Sequence, residues 1–258
     1  MNNDHAADQV AITYYTDPLC CWSWALEPQW RRFRFEFQNN ISWRYCMGGL
    51  LPGWKSFTDP VHAVSRPVQM GPLWMEASHL SGMPIQNKIW AFDPPASSYP
   101  ACIAVKCAEE QSFSAGENYL RRLREAVMMQ GKNISSLNVL MELAEELSAQ
   151  YPSILNVEKF KMDMENELGI QKFRTDLDEV RTKNIKRFPA LVFRRAGCQP
   201  LLLQGYRPYI VWLELMNKLA PGIKRKEAAS AEEYKAYWPH LLEREEKEIE
   251  IEVPKDYC

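Results

Sequence analysis

Val10-Ala11-Ile12-Thr13-Tyr14-Tyr15 is a short β-branched and aromatic run that Thr16-Asp17-Pro18 stops. A run of that kind bounded by turn residues predicts a buried strand. From Trp22 to about Phe37, the apolar residues Leu26, Trp30, Phe33 and Phe37 recur at spacings of three and four, which predicts an amphipathic helix. Pro28, in its second turn, predicts a local kink. Ile41-Ser42-Trp43-Arg44-Tyr45 alternates as a second strand and ends in Met47-Gly48-Gly49. Strand, tight turn, helix and strand together predict a parallel α/β unit.

The pattern then changes. A Pro- and Met-rich stretch from about Thr58 to Pro95 predicts only short helical pieces, and residues 98–111 and 118–129 predict longer helices. Ser135-Ser136 followed by Leu137, Leu140, Met141, Ala144 and Leu147 reads as a capped helix with an apolar face. Residues 157–168 and 172–184 predict two more. Strand character returns at Pro189-Ala190-Leu191-Val192-Phe193 and, after a Gly197 turn, at Leu201-Leu202-Leu203, a hairpin pattern. Pro208 to Leu219 predicts a further helix. The expected organisation is a sheet domain of residues 8–58 and 185–222, an inserted helical domain of 59–184, and a C-terminal extension of 223–258.

That extension carries seven Lys or Arg against ten Asp or Glu. Ser230-Ala231-Glu232-Glu233 has capping-box spacing for a helix reaching Glu246. Glu248 to Val253 alternates with period two, as an edge strand or a charged tail would; the plainer reading is a solvated extension that packs on the main body. Over the whole chain, 31 basic and 33 acidic residues leave a net charge of −2, without the basic excess that nucleic-acid binding demands. No apolar run approaches the ~18 residues that would span a membrane. The first residues lack a secretory pattern, so a cytoplasmic location is expected, and the seven cysteines should stay reduced there. Neither the cysteines nor the four histidines show zinc spacing.

The segment Asp17-Pro18-Leu19-Cys20-Cys21-Trp22-Ser23-Trp24 joins the first strand to the first helix. It places Cys20 where unsatisfied backbone N–H groups and the helix dipole favour an anion. A thiol there is expected to ionise readily, and the thiolate is the nucleophile. A buried, inert cysteine is the plainer alternative. Met47-Gly48-Gly49 could offer amides to an anion. Arg31-Arg32-x-Arg34 reads as a solvated helix face, and the tryptophans Trp22, Trp24, Trp54, Trp74 and Trp90 as core or as the lining of a groove. His62 and His79 read as ordinary polar positions.

The order of strand, Asp-Pro-x-Cys-x-Trp-x-Trp, helix, strand with Met47-Gly48-Gly49-Leu50, helical insert, x-Pro-strand and hairpin resembles the DsbA-like thioredoxin-fold oxidoreductases. Their cytosolic dithiol–disulfide isomerase branch is the nearest match, and Ser97-Ser98-Tyr99-Pro100-Ala101 is similar to that branch as well. The resemblance covers roughly residues 10–219. It implies an α/β, thioredoxin-like fold with a large helical insertion. It also implies Cys20 as the nucleophile, Pro189 as a cis-proline facing it, and Phe188 as a source of backbone groups for an extended partner. Cys21, Trp22, Phe188 and Gly48 are the substrate-binding positions expected around the thiol.

The chain departs from that family where the second active-site cysteine is Ser23, which cannot resolve a mixed disulfide. A disulfide between neighbours Cys20 and Cys21 would be strained, and Cys46 and Cys198 are alternative resolving thiols. The resemblance therefore implies a single-thiol oxidoreductase or isomerase acting on protein or small-molecule thiols and disulfides. No cofactor is expected to be tightly bound, and glutathione is the expected cosubstrate. Two alternatives stay open: a glutathione-dependent enzyme similar to the kappa-class transferases and chromene-carboxylate isomerases, and a redox-inactive adaptor that delivers a client to a protease.

Overall fold

A computed structural model of the chain describes residues 9–57, 59, 62–226 and 230–253. β1 (Val10–Thr16) leads into α1 (Cys21–Ala25) and α2 (Glu27–Phe37), and β2 (Ile41–Met47) follows. Between β2 and the next strand come α3 (Met70–Ser81), α4 (Ile89–Phe92), α5 (Tyr99–Glu109), α6 (Phe113–Met128), α7 (Leu137–Gln150), α8 (Val157–Glu165) and α9 (Leu168–Thr182). The hairpin strands β3 (Ala190–Arg194) and β4 (Leu201–Gln204) precede α10 (Tyr209–Leu219), α11 (Ala231–Tyr237) and α12 (Glu243–Glu248).

The four strands form one mixed sheet in the order β2-β1-β3-β4. β1 runs parallel to β2, with Thr16 opposite Met47, and antiparallel to β3, with Tyr15 opposite Ala190. Period-two alternation sends Val10, Ile12 and Tyr14 to one face, where they join Trp30, Phe33, Phe193 and Trp212 in the main core. Each such buried large side chain contributes about 2–3 kcal/mol of transfer free energy. Tyr15, Cys46, Ala190 and Val192 point to the other face and form a smaller cluster with Ile185. There the Tyr15 hydroxyl donates to Glu179 of α9 at 2.7 Å.

The predicted helix from Trp22 to Phe37 is two helices that meet at Leu26. Pro28 occupies the first turn of α2, where its missing N–H leaves no hydrogen bond unmade. Gly169 lets α9 cross α5 closely, because a Cβ there would meet Cys107 Sγ and the Ile103 carbonyl.

Two sequence expectations are overturned around α2. Arg31, Arg32 and Arg34 do not form a solvated face; all three are buried. Their partners include groups far along the chain that local patterning cannot reveal. Arg31 pairs with Glu27 at 3.2 Å and with Glu245 of α12 at 3.3 Å. Arg32 pairs with Glu36 at 2.7 Å and donates to the carbonyls of Glu248 and Ile251. Arg34 grips Glu117 of α6 and lies 4.0 Å over the Trp43 ring. The C-terminal extension packs on the main body, as its plainer reading expects; its described part holds no strand, and residues 250–252 are exposed. Ser230 caps α11 as expected, but Pro239 cannot continue the helix toward Glu246. Glu248 ends α12 and is buried against α2 instead of opening a strand.

Candidate thiol site at the first helix N-terminus

Cys20 is the N-cap of α1, in extended backbone geometry. Its own N–H closes a turn onto the Asp17 carbonyl at 3.1 Å. Asp17 fixes that turn from within. One carboxylate oxygen accepts the Leu19 N–H at 2.8 Å; the other accepts the Leu50 N–H at 2.6 Å, the Ser98 hydroxyl at 2.8 Å and the Cys102 thiol at 3.4 Å. A single buried side chain thus ties the β1–α1 turn to the loop after β2 and to the start of α5. Burial pushes the Asp17 carboxyl up, and these donors offset the rise only in part.

The Ser23 N–H donates to Cys20 Sγ at 3.4 Å, as a helix N-terminus should. The expected ready ionisation does not follow. Cys20 is 3% exposed, and burial pushes its thiol up, with the nearby Asp17 adding to the rise. Ser23, through side chain and backbone, and Arg124 oppose it without prevailing. α1 has only five residues and supplies a single amide to the sulfur, so desolvation outweighs the dipole. The Ser23 hydroxyl is near enough to favour the anion, yet it is buried and makes no aligned hydrogen bond.

The remaining expected positions divide. The Phe188–Pro189 peptide bond is cis. The β1–β3 register, continued by one residue, sets Pro189 beside Thr16, at the sheet end from which the Cys20 turn departs. The Pro189 carbonyl accepts the Gly205 N–H at 2.8 Å. The half-buried Phe188 ring lies against Gly48 so closely that no Cβ would fit there. Trp22 is half-buried and packs on Tyr206 from the loop after β4, ring centroids 6.1 Å apart. These residues flank a common edge. Cys21 does not join them: it faces the main core, and burial raises its thiol further. Nor do Gly48 and its neighbours form an anion nest, since Met47 N–H donates to Asp176, Gly48 N–H to the Thr16 carbonyl and Leu50 N–H to Asp17.

Neither alternative resolving thiol adjoins Cys20. Cys46 lies on the smaller, opposite face of the sheet and donates to the Asp176 carbonyl. Cys198 is exposed in the β3–β4 turn, at the end of the sheet where β1 begins. The seven residues of β1 at ~3.3 Å each separate that turn from the Cys20 end by roughly 20 Å. The tryptophans beyond Trp22 are largely internal: Trp24 donates to the Pro84 carbonyl, and Trp54, Trp74 and Trp90 pack edge-on together. His62 pairs with Asp59 three residues earlier, and His79 is exposed on α3.

Sequence reasoning missed Ser98 and Cys102 as partners of Asp17, and it missed Arg124. Arg124 of α6 is 2% exposed and donates to Thr16 Oγ1 at 2.5 Å and to Glu27 at 3.1 Å, directly under the turn. Only the Ser97-Ser98-Tyr99-Pro100 motif carried a signal for any of the three. Among the described residues, no group of three or more side chains is placed to hold a metal ion, and no helix is long and apolar enough to cross a membrane.

A family model described as Thioredoxin matches residues 14–212. The chain is 26% identical over 248 residues to a protein of Halalkalibacterium halodurans named ClpXP adapter protein SpxH, covering 95% of this chain and 76% of that one. Among solved structures, it resembles a candidate protein disulfide isomerase from Nitrosomonas europaea with a TM-score of 0.65 and 20% identity, over 81% of this chain and 97% of that one. It also resembles the cytosolic disulfide reductase DsbM of Pseudomonas aeruginosa, solved with GSH, with a TM-score of 0.59 and 21% identity, over 81% and 100%.

Proposed function

The chain belongs to the thioredoxin family, and we propose that within it the protein is a single-thiol disulfide exchange enzyme that works in the reductive direction through Cys20. The observation that carries this reading is the placement of Cys20 at the α1 N-cap, at the sheet end where the cis Phe188–Pro189 bond lies.

The direction follows from the thiol's environment. A strongly oxidising member of such a fold is one whose reduced thiolate is stabilised. Here burial disfavours the thiolate, so the sulfur is a poor leaving group and holds a disulfide once it has formed one. Cys20 thiolate attacks a partner disulfide, forming one S–S bond and releasing the partner's other sulfur as a thiolate. With Ser23 in place of a second thiol, an external thiol must finish the cycle. Glutathione thiolate attacks the Cys20 sulfur and expels the partner's thiolate; a second glutathione then attacks the sulfur of the first and frees Cys20. The net reaction consumes one disulfide and two glutathione thiols, and yields two thiols and oxidised glutathione. The solved GSH complex of DsbM supports this choice of thiol.

Intact-mass analysis after incubation with oxidised glutathione tests the reading. A Cys20 adduct by peptide mapping, absent from Cys20→Ser and retained in Cys198→Ser, is expected, whether or not the exposed Cys198 carries a second. An adduct that never includes Cys20 would refute it.

A second reading draws support from the 3% exposure of Cys20 and the adapter name of the Halalkalibacterium relative. In it the same edge binds a client protein without chemistry. It expects association with a ClpX protein that Cys20→Ser leaves intact, together with a Cys20 that stays free of glutathione.

A further inference from the structure

We propose that Arg124, reaching from α6 into the floor of the β1–α1 turn, is the positioning residue whose fixed positive charge sets how readily Cys20 reacts. The inference rests on Cys20 being the reacting thiol. Arg124 is held from two sides: one terminal nitrogen donates to Thr16 Oγ1, immediately before Asp17, and the other to Glu27 of α2. Its Nε has no hydrogen-bond partner, so the guanidinium carries more donor capacity than its structural contacts use. Its charge lies 5.9 Å from the Tyr14 ring, whose hydroxyl in turn donates to the Ser23 carbonyl at 3.4 Å inside α1.

A cation that merely filled space there would be an unlikely choice on energetic grounds, because removing a guanidinium from water is costly unless every donor is matched. The groups that act on Cys20 come from several elements: Asp17 from the turn, Ser23 and Cys21 from α1, Tyr14 from β1 and Arg124 from α6; Glu27 of α2 pairs with Arg124, and Glu76 of α3 acts on Cys21. Among these described groups Arg124 is the cation. Asp17 opposes a thiolate, and Arg124 adds to the two Ser23 donors in favouring one, in a dehydrated site where charge–charge interaction is weakly screened. Glu27 pairs with the guanidinium at 3.1 Å and tempers its charge. Thiol reactivity should therefore respond in opposite senses to the loss of Arg124 and the loss of Glu27.

That opposition separates an electrostatic role from a packing role, since damage to packing would move both variants the same way. The experiment follows the pH dependence of iodoacetamide alkylation at Cys20, read by peptide mass spectrometry, in the full chain. Arg124→Met should raise the midpoint by about one unit, which is about tenfold less reaction at a fixed pH below it. Arg124→Lys should restore most of the shift. Glu27→Gln should lower the midpoint by roughly half a unit. An unmoved midpoint in Arg124→Met, or a Glu27→Gln midpoint that stays or rises, overturns the inference. If Arg124→Met does not fold, Glu27→Gln decides alone. A wild-type Cys20 that reacts with neither iodoacetamide nor oxidised glutathione overturns both this inference and the exchange reading. A reactive wild type with identical variants overturns this inference only.

Discussion

Replacing Glu245 with alanine should unfasten the C-terminal segment from the body of the protein. The Glu245 side chain is fully buried and holds two arginines at once, Arg121 at 2.5 Å and Arg31 at 3.3 Å, while its second oxygen also accepts the Leu242 N–H. Without it, Arg31 keeps Glu27 at 3.2 Å, which already serves Arg124, and Arg121 keeps Glu27 at 3.8 Å and the part-exposed Glu125 at 2.6 Å. Removing one partner of a buried ion pair strands the other charge and costs about 3–5 kcal/mol. For a chain of this size, that lowers the melting temperature by about 10 °C. Urea unfolding followed by tryptophan fluorescence measures the loss, and the packing of Trp238 beside Arg31 makes the signal sensitive to this segment. Glu243→Ala, on the same helix but 82% exposed, is the control and should leave the midpoint unchanged. A Glu245→Ala loss below about 1 kcal/mol, or one matched by Glu243→Ala, would refute the claim that this network fastens α12.

Two further outcomes follow from the buried carboxylates. Asp17→Ala leaves the Leu19 and Leu50 amides without their acceptor in a dry site, and should cost about 3 kcal/mol in a denaturation curve. Glu27 is buried, which alone would raise its pKa, yet Arg31, Arg124 and Arg121 hold it below its ordinary value of 4.5. The unfolded chain therefore takes up this proton first, so the stability Glu27 provides is complete above about pH 4.5 and is lost as pH falls through the folded value. The stability difference between wild type and Glu27→Gln, measured by urea titration at a series of pH values, should stay level above that point and shrink in acid. A difference that grows as pH falls would contradict the pairing.

The strands, the hairpin and the position of Cys20 were legible in the sequence because each depends on local alternation and turn residues. The state of Cys20 was not. Its place at a helix start is a local fact, but the desolvation that governs its proton comes from the surrounding packing. The arginines of α2 make the same point more sharply. Arg31-Arg32-x-Arg34 has the composition of a wet surface, and only the fold brings Glu117 and Glu245 to them from 83 and more than 200 positions away. Gly48 was singled out for its free amide; its value lies instead in the absence of a side chain where Phe188 packs. The period-two run after Glu248 misled because Glu248 ends a helix and is directed at Arg244 rather than into a strand ladder, while Glu250 and Glu252 are exposed.

The exposed thiol of Cys198 has a practical bearing. Cys20, Cys21, Cys46, Cys102 and Cys107 are all buried, so among the described residues one sulfur stands open to bulky reagents, at the pole of the sheet away from the first helix. A maleimide-linked fluorophore or spin label attached there would report on docking and tumbling without crowding the edge formed by Phe188, Trp22 and Tyr206. Among the described residues, Cys198 thus offers an anchoring point for single-molecule work on that edge.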